Sequence, residues 1–165
     1  MLDPNFVLDD EGRDKLIARF GAGVDAWCAA LPDLVERYCL RWHLADGHRK
    51  ARELASDGPA GLLHGDLHLS NILRAGPARG LVAIDPRPGF GDLTFDAIDW
   101  TLDRAASIDE VRERIGQLCR LVPDLDRDRL WHWCQATAAA LAILRLRHRS
   151  HDGTAQLLLK LAAST

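Results

Sequence analysis

The chain has 165 residues, 47% of them apolar, and a formal charge of −3. That length and apolar content suit one domain with a real core, and the absence of a basic excess argues against a general nucleic-acid binder. No uninterrupted apolar run reaches the roughly 18 residues a membrane span needs, and residues 1–15 are acidic without the apolar stretch of a secretory signal. A cytoplasmic protein with neither membrane nor nucleic acid as partner is expected.

The first sixty residues read as helical. Leu16, Ile17 and Phe20 share one face of a helix that ends at Gly21, and a short helix follows through Val24, Trp27 and Cys28. Pro32 suits the first turn of a third helix, in which Leu34, Val35, Tyr38, Cys39 and Trp42 recur at helical spacing. A fourth helical stretch is predicted over about 47–55, stopped by Ser56-Asp57-Gly58-Pro59. Three short apolar runs come next: Leu62-Leu63-His64, Asn71-Ile72-Leu73-Arg74 and Leu81-Val82-Ala83-Ile84. They predict three strands around one loop-rich centre.

After Gly91 the pattern is helical to the end. Asp92 can cap a helix containing Phe95, Ile98, Asp99 and Trp100. Ser107-Ile108-Asp109-Glu110 matches a capping box. Asp126 or Asp128 can start a long helix through Trp131, Trp133 and Leu146, with a basic end that suits the helix dipole. A last helix is predicted over about 154–162. The four cysteines, Cys28, Cys39, Cys119 and Cys134, form no Cys-x-x-Cys pair and have no zinc spacing. They are expected to be reduced and buried.

The chemistry-bearing string is His64-Gly65-Asp66-Leu67-His68-Leu69-Ser70-Asn71, followed by Ile84-Asp85-Pro86. Phosphoryl transfer from ATP needs a carboxylate to take the proton of the attacking hydroxyl and oxygen ligands to hold magnesium against the phosphates. In kinase-type sites the base and a metal-binding Asn share one loop as Asp-x-x-x-x-Asn, and a metal-binding Asp follows the next hairpin. Asp66 and Asn71 have that spacing, and Asp85 lies 14 residues further on. Asp66 is therefore the candidate base, and Asn71 and Asp85 are the candidate Mg2+ ligands. His64 is expected to be buried and hydrogen-bonded within the loop, and Gly65 to permit a tight turn. His68 either contacts substrate or packs the loop.

Residues 63–73 closely resemble the catalytic loop of aminoglycoside phosphotransferases. Residues 83–96 look most like the streptomycin and hydroxyurea antibiotic-resistance kinase branch of that family. The resemblance implies an α+β, mostly helical fold: the C-terminal lobe of a protein-kinase-like fold, with a small β-hairpin carrying the catalytic loop. It also implies ATP as phosphate donor, Mg2+ as cofactor, and transfer to a hydroxyl of an aminoglycoside or similar small molecule. Asp66, Asn71 and Asp85 match the family's base and metal positions, and Asp96 matches an Asp that braces the loop. Arg87 stands where the branch often has Lys, and Leu93 where it often has Pro. The helices around residues 21–42 also resemble the branch's opening helices.

A complete kinase of this type carries a β-rich small lobe with a phosphate-covering loop and a strand Lys. The 63 residues before His64 read as helix, and neither Lys15 nor Lys50 lies in a strand-like context. The expectation is a single domain, with leading helices over 1–45, a large lobe over 46–165, and no small lobe. Activity of this chain alone is then expected to be weak or nil. Two alternatives compete. A non-catalytic remnant would act as a binding or dimerising module through the apolar surface left by the lobe. A metal-dependent hydrolase would use His64, Asp66 and His68 as alternating ligands.

Overall fold

The structure, a computed structural model, describes residues 40–147 and 153–164. The helices expected before residue 40, together with Lys15, Cys28 and Cys39, lie outside the described residues. In chain order come helix α1 (Leu40–Asp57), strand β1 (Ala60–Leu63), a 3-10 turn (Leu69–Asn71), β2 (Ile72–Arg74), β3 (Leu81–Ala83) and β4 (Gly89–Asp92). A second 3-10 turn (Leu93–Ala97) leads into the helices α2 (Ile98–Leu102), α3 (Ile108–Leu121), α4 (Arg127–Arg147) and α5 (Gly153–Ala162). The fold is α+β and mostly helical, with small antiparallel sheets.

The core is built on α4. Its residues from Trp133 to Ala140 are buried, because other helices cover it on several sides and an all-round apolar helix must be enclosed. Ile98 and Leu102 of α2, Val111 and Ile115 of α3, Leu130 and Ile143 of α4, and Leu157, Leu158 and Leu161 of α5 form one cluster around it. Each such side chain stabilises the fold by about 1.5–3 kcal/mol relative to an exposed one.

Helix α1 runs unbroken through Asp46-Gly47, so the sequence-level division at 45/46 falls inside one helix. Gly47 is there for packing. A Cβ on it would overlap the backbone carbonyl of Ala136, so α1 approaches α4 as closely as only glycine allows. The boundaries after β4 follow local chemistry. Ser107 caps α3 by accepting from the Glu110 N–H at 3.1 Å, and the Glu110 carboxylate accepts from the Ala106 N–H at 2.8 Å. Of the two candidate starts for α4 it is Asp126 that caps, accepting from the Arg129 N–H at 2.7 Å.

The strands depart from expectation in two ways. Among the described residues there are four, in two separate two-stranded sheets: β1 pairs with β4, and β2 pairs with β3. The expected single centre of three strands is therefore corrected. Strand β4, Gly89-Phe90-Gly91-Asp92, has no apolar alternation and is held by backbone pairing to β1, from Ala60 opposite Asp92 to Leu63 opposite Gly89. The loop His64–Asn71 is not carried by the hairpin itself; it connects the two sheets, running from β1 into β2.

A buried ion pair locks this region to the helices. The Asp92 side chain is fully buried and accepts from Arg129 Nε at 2.5 Å, Trp133 Nε1 at 2.5 Å and the Thr94 N–H at 2.9 Å. Arg129 also donates to Asp57 at 3.0 Å and to the Leu54 carbonyl. One guanidinium thus joins the end of α1, the end of β4 and the start of α4. The Phe95 ring meets Trp133 edge-on at 5.3 Å, which seats the turn that carries Asp96.

Candidate active site

The loop after β1 is held by one carboxylate. Asp96 accepts from the His64 N–H at 2.7 Å through Oδ2 and from the Gly65 N–H at 2.8 Å through Oδ1. Gly65 sits at φ +75°, and a Cβ there would overlap the Arg87 carbonyl. Only glycine suits that turn. Beyond it the loop closes on itself: the His68 N–H donates to the Asp66 carbonyl at 3.1 Å, and the Asn71 N–H to the His68 carbonyl at 2.9 Å. The Asn71 side chain, in a residue only 8% exposed, donates through Nδ2 to the Asp66 carbonyl at 2.8 Å. Asp66 is thereby fixed at its backbone while its carboxylate stays 27% exposed.

A second loop, following β3, lies against the first. The Ile84 N–H donates to the Asn71 carbonyl at 2.9 Å and the Arg87 N–H to the His64 carbonyl at 2.8 Å. These two bonds hold the loop that carries Asp85 against the first loop's backbone at Asn71 and His64. Asp85 is exposed and adopts φ +55°, a left-handed conformation uncommon outside glycine and often found at functional sites. The His64 ring reaches across to this loop, with Nε2 3.1 Å from the Ile84 carbonyl. His64 is half-buried, and its partner lies in the neighbouring loop rather than in its own. Its Nδ1 is buried without a hydrogen-bond partner, so the ring is oriented by Nε2 alone.

The donors present fit a hard cation. With Nδ2 committed to the Asp66 carbonyl, Asn71 has Oδ1 left, and Asp85 supplies a carboxylate in the adjoining backbone. Mg2+ is typically bound by one or two protein oxygens together with phosphates and water. Among the described residues no group of three or more His, Cys, Asp or Glu is arranged to hold a metal ion. His64, Asp66 and His68 do not converge as a transition-metal trio: His64 faces Ile84, while His68 Nε2 lies 3.5 Å from Asp66 Oδ1.

Two further charged side chains stand at the site. Arg87 places Nε 3.3 Å from Asp66 Oδ2 while its side chain remains 80% exposed. Asp99, at the start of α2, is half-buried. Burial pushes its carboxyl above the ordinary value of 3.8, His68 pulls it down, and Asp66, Asp103 and Asp96 push it further up. Asp99 lies three residues after Asp96, which is the sequence signal that places it near the loop. A groove of about 540 Å3 between α1 and α4, lined by Lys50, Leu54, Trp131 and Gln135 among others, includes no residue of either loop. The candidate site lies between the two loops, apart from that groove.

The family model described as aminoglycoside/hydroxyurea antibiotic resistance kinase matches residues 44–158, which include both loops and every helix from α2 to α4. A hydroxyurea phosphotransferase from Kitasatospora aureofaciens is 35% identical over 122 residues, covering 74% of this chain and 34% of the relative. The chain spans about a third of the length of that curated relative. No solved structure matches it significantly. The match over most of the chain, with both loops inside it, places this protein in the aminoglycoside/hydroxyurea antibiotic resistance kinase family.

Proposed function

We propose that the two loops form the base-and-metal half of an ATP-dependent phosphotransferase site that acts on a hydroxyl of a small molecule, either an aminoglycoside or hydroxyurea itself. The observation that carries this reading is the pinned loop. Asp96 fixes the His64 and Gly65 amides of the loop that carries Asp66 and Asn71, and backbone hydrogen bonds from Ile84 and Arg87 hold the Asp85 loop against it, which supports this reading.

Asp66 is the general base. Its exposed carboxylate accepts the proton of the acceptor hydroxyl as the oxygen attacks the terminal phosphorus and the bond to the ADP leaving group breaks. Asn71 Oδ1 and the Asp85 carboxylate are the groups that would hold Mg2+, which when bound neutralises charge on the phosphates. His64 and Asp96 act through the loop backbone, and His68 stands beside the base. Positioning supplies most of the catalysis in this chemistry, which explains a loop tied by so many backbone hydrogen bonds.

On this reading residues 46–165 are the large lobe of a protein-kinase-like fold in a cytoplasmic enzyme. The groups that grip the rest of ATP, beyond its terminal phosphate, are expected from outside the described residues; within them the lysines are Lys50 on α1 and Lys160 on α5, both helical. Transfer by these 165 residues alone is therefore expected to be weak. The test is a mass-spectrometric screen of hydroxyurea and a panel of aminoglycosides with MgATP. The expected result is slow gain of one phosphate by one acceptor class, dependent on Mg2+. Phosphate gain that is indifferent to Mg2+ counts against the site reading, and gain at the rate of a complete kinase counts against the weak or absent activity expected of this chain alone.

One observation favours a second reading, self-association without catalysis. Leu62, Leu73, Leu81, Ile84 and Leu93, in or next to the strands, are between 37% and 68% exposed. Exposed apolar side chains promote pairing of copies where they form a patch. That reading requires a dimer or larger species in sedimentation, and no functional effect of Asp66→Ala.

A further inference from the structure

Arg87 is unassigned by the mechanism above, yet its guanidinium touches the proposed base. Its backbone is rigid: the N–H is bonded to the His64 carbonyl at 2.8 Å, Pro86 precedes it, and its own carbonyl fills the space beside Gly65. Its side chain is free by contrast, 80% exposed, with Nε 3.3 Å from Asp66 Oδ2 as its ion-pair contact. One long contact leaves most of the five guanidinium donors open to other partners. An exposed pair of this kind contributes little, so the guanidinium can leave it at small cost. It is also two residues from Asp85, on the loop that presents the candidate metal carboxylate.

We propose that Arg87 is a phosphate-binding residue of the site, one that holds the Asp66 carboxylate in the resting chain and releases it to grip the transferable phosphate of the donor. The proposal rests on the phosphotransferase reading and deepens it. The anion that must come within reach of both Asp66 and the Asp85 loop is the terminal phosphate, and a planar guanidinium matches phosphate oxygens better than an ammonium does. Once phosphate takes Arg87, the Asp66 carboxylate is left open to the acceptor hydroxyl.

The test uses the 165-residue chain titrated calorimetrically at low salt with magnesium tripolyphosphate and with MgATP. The variants are R87Q, R87K, D66N, the D66N/R87Q double variant and D85N. Arg87→Gln is expected to weaken binding on the order of tenfold, the loss typical of one charge-assisted hydrogen bond, and Arg87→Lys to weaken it less. Asp66→Asn is expected to tighten binding when Arg87 is present by much more than when it is combined with Arg87→Gln, because only the former protein has a guanidinium to release. Simple removal of repulsion would tighten both equally, and that result overturns the exchange. If Asp85→Asn weakens binding while Arg87→Gln does not, the site reading stands and the role of Arg87 falls. If the unaltered chain binds neither probe, both fall.

Discussion

Asp96→Ala is expected to free the catalytic loop far more than it unsettles the helical core. The substitution removes both acceptors of the His64 and Gly65 amides, which lie at 2.7 and 2.8 Å in a part-buried setting. A hydrogen bond to a charged group is worth about 1.5–3 kcal/mol net. Two of them, discounted for water that can reach a part-buried loop, give a local cost of about 2–4 kcal/mol. Gly65 sits at φ +75°, and its own N–H is held by Asp96. The cost should therefore appear as local opening. Amide hydrogen exchange read by NMR is the assay, and protection of the His64 and Gly65 amides should fall on the order of a hundredfold, the equilibrium factor for about 3 kcal/mol. Amides in the middle of α4, packed among α1, α3 and α5, should be affected much less. Asp96→Asn keeps one acceptor and should fall between. If both loop amides exchange in Asp96→Ala as in the unaltered chain, Asp96 is not what fixes the loop.

Three further outcomes follow from single sites. Gly65→Ala should destabilise the chain by about 2 kcal/mol or more in urea unfolding, since a β-carbon meets both the left-handed conformation and the Arg87 carbonyl. Asp99→Asn should stabilise the protein at neutral pH. Burial raises the carboxyl above 3.8, so the folded chain binds that proton more tightly than the unfolded one, and stability falls as pH rises from 3.8 through the raised value. The gain in thermal midpoint from the substitution should shrink to nothing as pH drops below 3.8, and a gain independent of pH would contradict this. Cys134, whose thiol burial pushes up to about 12, should resist iodoacetamide until the chain unfolds, while the half-buried Cys119 labels sooner. Peptide mapping after timed labelling separates the two.

The sequence was informative where a local rule decided the structure. The Ser107 cap, the Asp126 start of α4 and the last helix each follow from residues within a turn of one another. So does the Gly65 turn, although its reason is a close approach to Arg87 that lies far along the chain. Legibility failed where the deciding partner was distant or made of backbone. Strand β4 has two glycines in four residues and exists because β1 offers it a ladder. Gly47 looks like a helix breaker until Ala136 is seen against it. Asp92 reads as a cap, which it is, but its principal partners are Arg129 and Trp133, 37 and 41 residues away. At the site, spacing singled out Asp66, Asn71 and Asp85 as candidates. It did not reveal that Ile84 and Arg87 tie the two loops together by backbone hydrogen bonds, or that Asp99 and Arg87 flank the candidate base.

The most direct test of the central claim is the rate of phosphate transfer from MgATP to the acceptor found in the screen, measured over long incubation for the unaltered chain and for Asp66→Ala. Slow, measurable transfer is expected, and Asp66→Ala should lower it by about 10²-fold or more, the contribution typical of a general base. Transfer at the same rate in both proteins would contradict the assignment of Asp66 as the base.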